Sequence, residues 1–154
     1  MESQDTVKLL KECDAGTKMA VSSIDEVLES VRDSKLKDLL QESKNHHEEL
    51  ENEICALLKC HGAEEKDPNP MAKGMSWMKT NIKMGMDNSD ATVADLLTDG
   101  CDMGIKSLHK YLNQYQAADN KSKEICKKLI SIEEQLETEL RKYCLLYTSP
   151  SPRD

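Results

Sequence analysis

The stretch PNPMAKGMSWMKTNIKMGM, Pro68 to Met86, decides how the chain folds. Its two prolines, with the polar run Ala63 to Pro70 that contains them, forbid helix there. Beyond them Met71, Met75, Met78 and Ile82 recur at helical spacing. Lys73, Lys79 and Lys83 lie mostly off that face, and Trp77 flanks it. On each side of the stretch lies a pair of long amphipathic segments, broken only by a two-residue turn. The stretch therefore reads as a crossover, residues 61–90, between two antiparallel helical hairpins at 6–60 and 91–143. Such a connection, partly helical at about 1.5 Å per residue, covers a bundle length of about 30–40 Å. If it does so, helix 3 runs parallel to helix 2. A simple up-down bundle would not need so long a connector.

Working outward, the segment before the crossover predicts helix 2 over about Lys35 to Cys60. Its inward stripe is Leu36, Leu40, Ser43, His47, Leu50, Ile54 and Leu57, alternating steps of four and three. Two polar residues, Ser43 and His47, stand where apolar ones are expected. Asp33-Ser34 marks the break before it, and Gly62 can end it in a left-handed conformation. Helix 1 is expected from about Thr6 to Val31, capped by Ser3 or Asp5. Its stripe is Val7, Leu10, Thr17, Val21, Ile24, Leu28 and Val31, with Asp14 inside it and Cys13 beside it. After the crossover, residues 87–90 cap helix 3, expected from about Ala91 to Ala117. The stripe there is Val93, Leu97, Cys101, Gly104, Leu108, Leu112 and Tyr115. Asp119-Asn120 is the second tight break. In helix 4, Ile125, Leu129, Ile132, Leu136 and Leu140 face inward, while Glu133-Glu134, like Glu48-Glu49 of helix 2, reads as solvated surface.

The two halves resemble each other. CDAGTK at Cys13 to Lys18 returns as CDMGIK at Cys101 to Lys106, and TVKLL at Thr6 has a looser echo in TVADLL at Thr92. Both motifs fall in the first helix of their hairpin, as expected from a duplicated hairpin. Cys13 and Cys101 then occupy equivalent positions near the core and could approach one another. Gly16 and Gly104 would let helices come close.

Composition bounds the rest. A chain of 154 residues suits one domain. With 32% charged residues, 38% hydrophobic ones and no Phe, its core must come from Leu, Ile, Val and Met, which favours helices. The net charge of −8 argues against nucleic acid and anionic membranes as partners. Neither a signal peptide nor a span long enough for a bilayer is legible, so a cytoplasmic protein with reduced thiols is expected.

On helix lengths, duplicated hairpin and crossover, Thr6 to Tyr143 resembles the ferritin-like superfamily, and in particular its small bacterial bundles of unknown function. The resemblance implies an all-α, ferritin-like four-helix bundle. Di-iron members place a Glu on each of two helices and Glu-x-x-His on the other two. No Glu-x-x-His occurs here. In register, Asp14 falls near the helix 1 carboxylate, His47 near the Glu position of helix 2 and Leu50 near its His position. At most half a site follows, from Asp14, His47 and Glu51, for iron or zinc. Oxidase or iron-storage chemistry is not implied. His47 is otherwise a buried histidine bonded to Asp14, Thr17 or Ser43. Cys55, Cys60 and His61 cluster in sequence, but five helical residues rotate about 140°, so the two thiols face apart.

Three readings of function remain. The first is a non-catalytic bundle without a cofactor, acting by self-association, as a homodimer, or by binding a protein partner. The second is a metal-binding bundle. The third is an adaptor or membrane-surface module using the Met/Lys crossover helix. The ending CLLYTSPSPRD, Cys144 to Asp154, reads back through one set of codons to a transposase adapter used in sequencing libraries. It is therefore expected to be a non-native tail.

Overall fold

The computed structural model describes residues 2–64 and 89–144. The Met/Lys helix expected within the crossover, and residues 145–154, lie outside the described residues. Four helices and a short 3-10 turn make up what is described: α1, Glu2–Leu28; α2, Ser34–Cys60; α3, Asp90–Gln114; α4, Asn120–Leu140; and the turn Arg141–Tyr143. None of these helices is long and apolar enough to cross a membrane.

Helix starts follow the polar residues that can take up orphan backbone N–H groups. The Asp33 carboxylate accepts from Lys35 N at 2.8 Å and Leu36 N at 3.0 Å. Ser89 Oγ accepts from Thr92 N at 3.2 Å, and Asp119 Oδ1 from Ser122 N at 2.8 Å. At the end of α2, Gly62 adopts φ +69°, as its sequence position suggested. Three boundaries differ from expectation. α1 begins at Glu2, so Asp5 lies in its first turn and cannot cap it. α1 stops at Leu28, although Val31 beyond it is still buried. α3 stops at Gln114, because Tyr115 at φ −106°, ψ 59° no longer continues the helix.

Two pairs of hydrogen bonds fix the topology. At one end of the bundle Asp90, the first residue of α3, accepts from Arg32 N at 2.9 Å and Asp33 N at 2.7 Å in the α1–α2 turn. At the other end Asp5 accepts from Ala117 N at 3.0 Å, and Thr6 Oγ1 accepts from Asp119 N at 2.8 Å. α3 therefore starts where α2 starts, and the two run parallel. A 27-residue α2 is about 40 Å long at about 1.5 Å per residue, and the chain between α2 and α3 must cover that length. In cross-section α1 and α4 pack on each other and on both other helices, while α2 and α3 stand apart.

The interior is not continuous. One apolar cluster holds Ile24, Val27, Leu36, Leu40, Val93, Leu97, Leu136 and Leu140. A second holds Leu9, Leu10, Leu50, Ile54, Leu58, Leu108, Ile125 and Leu129. Cys144 is buried in the first, its thiol 3.3 Å from Thr98 Oγ1. Along the helices, between the residues of the two clusters, lie the buried polar groups Asp14, Thr17, Ser43, His47 and Glu133, while Glu137 is buried beside the first cluster.

Gly16 and Gly104 do not mark unusually close helix approach. A Cβ on Gly16 would meet Leu129 Cδ2 at 3.8 Å, and one on Gly104 would meet Glu133 Oε1 at 3.6 Å, both ordinary contacts. At Gly100, within α3, an added Cβ meets nothing within 4 Å. Gly100→Ala should therefore stabilise the protein by about 0.5–1 kcal/mol, the helix cost of glycine. Urea unfolding of the variant checks the sign.

Candidate functional site

Helices α1, α2 and α4 send residues into the polar layer, and the pair at its centre is His47 of α2 with Glu133 of α4. His47 is 0% exposed. Its Nδ1 lies 2.8 Å from the Ser43 carbonyl oxygen, which can only accept, so Nδ1 carries a hydrogen. Its Nε2 lies 2.5 Å from Glu133 Oε2. That tautomeric assignment follows from the acceptors facing the ring. Burial pulls the His47 pKa down. The hydrogen bond and charge of Glu133, with the Ser43 carbonyl, outweigh it and leave the pKa raised. With its pKa raised and an acceptor facing each nitrogen, His47 is placed to carry both ring protons and to donate from each.

Glu133 also faces α3. Burial first, and then the Glu133 carboxylate, push the Cys101 thiol far above its ordinary range, so Cys101 stays protonated. The Gly104 contact places a Glu133 oxygen against the same helix. One carboxylate thus ties α4 to both α2 and α3.

Asp14 is also 0% exposed but belongs to a separate group between α1 and α2. Its Oδ2 lies 2.7 Å from Lys18 Nζ, and its Oδ1 accepts from Cys55 Sγ at 3.7 Å. Ligand atoms of Asp14, Glu51 and Cys55 all lie within 4.8 Å of one another. Of the three residues proposed from sequence, Asp14 and Glu51 therefore come together, joined by Cys55, while His47 turns to Glu133. Thr17 Oγ1 donates to the Asp14 carbonyl oxygen at 2.8 Å, within its own helix.

Glu133 was expected on the surface and is 8% exposed; Ile132, expected inside, is half-buried. Both fit the spacing, since Leu129, Glu133, Leu136 steps by four and three where Leu129, Ile132, Leu136 steps by three and four. Side-chain polarity favoured the wrong one. A signal was present: the caps Asp33 and Asp119 lie 86 positions apart, and so do His47 and Glu133. Aligning the hairpins on their caps places these two residues at the same point of the duplicated unit. Cys13 and Cys101 do not meet, because they lie in different clusters. The neighbour of Cys13 is the Cys126 thiol, whose hydrogen bond, together with burial, raises the Cys13 pKa.

The same alignment pairs Glu51 with Glu137 and Cys55 with Arg141. In the second hairpin Asp102 hydrogen-bonds Glu137. Burial and that neighbouring carboxylate raise the Glu137 pKa to about 7, while Arg141, at 3.1 Å, pulls it back. Each hairpin thus carries one Asp–Glu pair, flanking the shared His47–Glu133 contact.

No protein-family model matches the chain, and no curated protein matches it. Among solved structures it is similar to the crystal structure of Dps92 from Deinococcus radiodurans, with a TM-score of 0.76 and 15% identity, over 99% of this chain and 91% of that one. At such identity the likeness speaks for the fold, which is ferritin-like.

Two outcomes are expected. His47→Leu leaves the Glu133 carboxylate buried without its partner and should cost about 3–5 kcal/mol in urea unfolding, while His47→Leu with Glu133→Leu should recover most of the loss. Equal losses in the single and double variants would show that the pair does not act as a unit. The second outcome concerns pH. Glu137 has its folded pKa raised above the ordinary carboxylate value near 4.5, so the folded state binds the extra proton. Stability from this group falls as pH rises from about 4.5 through about 7. His47, also raised, acts in the same direction, its contribution fading as pH climbs through its folded pKa. Thermal midpoints measured from pH 5 to 8 should decline, and Asp102→Asn should flatten that decline without abolishing it.

Proposed function

We propose that this chain is a non-catalytic ferritin-like bundle that acts by packing against a second copy of itself or another protein. The observation that carries the reading is the His47–Glu133 pair. In register with di-iron bundles, His47 stands where a metal-binding Glu is expected on the second helix. Here its two nitrogens donate to Ser43 and Glu133, so neither offers a lone pair to a metal. Among the described residues no buried side-chain nitrogen or oxygen lacks a hydrogen-bond partner. An interior satisfied in this way fits a structural role better than a reaction centre. No cofactor is required for such a role.

Action then falls to the surface. Met19 and Met103, the large hydrophobic side chains that are exposed among the described residues, sit on the adjacent helices α1 and α3. A cytoplasmic setting suits the free thiols Cys13, Cys55, Cys60, Cys101 and Cys126.

The test is oxidation of ferrous iron in air. Purified protein should oxidise it no faster than buffer does, and sedimentation should show a species near twice 17.4 kDa, weakened by Met103→Glu. Rapid iron oxidation that disappears in Glu133→Gln would overturn the reading.

A further inference from the structure

We propose that Asp14, Glu51 and Cys55 form a mononuclear site for a divalent metal of the zinc class, separate from the His47–Glu133 centre. The three donor groups converge from two helices. Glu51 and Cys55 stand one turn apart on α2, and Asp14 faces them from α1, with ligand atoms within 4.8 Å of one another. That is close enough for one ion to draw them in by small side-chain rotations, since zinc takes oxygen at about 2.0–2.2 Å and sulfur at about 2.3 Å.

Charge supports the site. A buried carboxylate needs a cation near it, and Lys18 Nζ supplies one to Asp14 Oδ2. The other oxygen, Oδ1, faces the Cys55 thiol. On metal binding the thiol releases its proton to solvent and the thiolate takes the ion, so binding is proton-coupled. Two carboxylates and a thiolate then carry three negative charges, which Lys18 and a divalent ion together cancel. The ion would reach the buried Asp14 past Glu51 and Cys55, which are half-exposed.

The duplicated hairpin shows what stands at the same place in the other half. The repeated CD-x-G motif pairs Asp14 with Asp102, and the cap alignment pairs Glu51 with Glu137 and Cys55 with Arg141, whose guanidinium lies 3.1 Å from Glu137. Both hairpins set a fixed positive charge beside the acidic pair, Lys18 in one and Arg141 in the other. Only the first also sets a sulfur ligand there. A sulfur ligand selects against magnesium and calcium, which prefer oxygen alone, and favours zinc or cobalt(II) with solvent in the fourth position.

The experiment is titration of metal-free, reduced protein with cobalt(II), followed by zinc competition. One equivalent of cobalt should bind with a sulfur-to-cobalt charge-transfer band in the near ultraviolet, and zinc should displace it. Cys55→Ser should abolish the band and weaken zinc binding at least 10-fold. Asp14→Asn should weaken it similarly. Cys60→Ser, which removes the exposed thiol near the end of α2, should leave both unchanged. Zinc should raise the melting temperature of the parent protein but not that of Cys55→Ser, and circular dichroism of the metal-free variants confirms that they are folded. Binding below one equivalent, or a band that survives Cys55→Ser and vanishes in Cys60→Ser, overturns the proposal. Neither result depends on how the protein handles iron.

Discussion

The centre of this bundle rests on an ion pair held out of water. His47 and Glu133 each cost several kcal/mol to desolvate alone, and their attraction offsets that only because the geometry is close and the other ring nitrogen has its own acceptor. The constraint propagates outward. The Ser43 carbonyl, one turn back on the same helix, takes the other ring proton and so fixes the orientation of the imidazole. Cys101 must stay protonated beside the carboxylate. The apolar core must divide into clusters above and below. A buried ion pair is weak as a source of stability but strong as a specification of register, and in a chain whose core is mostly Leu, Ile and Val, register is what apolar packing leaves underdetermined.

The pair also shows how a duplicated hairpin diverges. Identical halves would have set the same residue against itself at the centre of the bundle. Two histidinium groups or two carboxylates there would repel. One half carries the imidazolium and the other the carboxylate, which resolves the conflict. On either side the Asp–Glu pairs have taken different solutions to the same surplus of negative charge. In one the Glu137 pKa is raised to about 7 with Arg141 nearby, and in the other Lys18 and Cys55 stand at Asp14.

The long elements and their order were legible because helical periodicity, acidic caps and turn residues act locally. The parallel run of α2 and α3 followed from the length of the crossover. Local rules failed where two residues fit one period, as with Ile132 and Glu133. There only the partner across the bundle decides, and a partner 86 positions away leaves no trace in a periodicity. Of the proposed site residues, Asp14 and Glu51 could be placed because α1 and α2 form a tight hairpin. Cys55 clusters in sequence with Cys60 and His61, but its neighbours in space, Asp14 and Glu51, are set by the pairing of two helices. His47 lies inside and bonds Ser43, as expected, while its second partner, Glu133, belongs to the other hairpin and was not among those expected.

The carboxylate of Asp90 and the hydroxyl of Thr6 have a consequence for the order in which the molecule assembles. Each hairpin closes across a turn of a few residues, so its contacts are local and quick to form. The latches are of another kind. Asp90 reaches residues 57 and 58 positions away, and Thr6 and Asp5 reach residues 113 and 112 positions away. Such contacts must wait until the chain between them has closed a long loop. Contact order favours local hairpins first and their docking second, with the end latches and the central ion pair closing late. On that order the polar layer is among the last parts of a newly made chain to leave water.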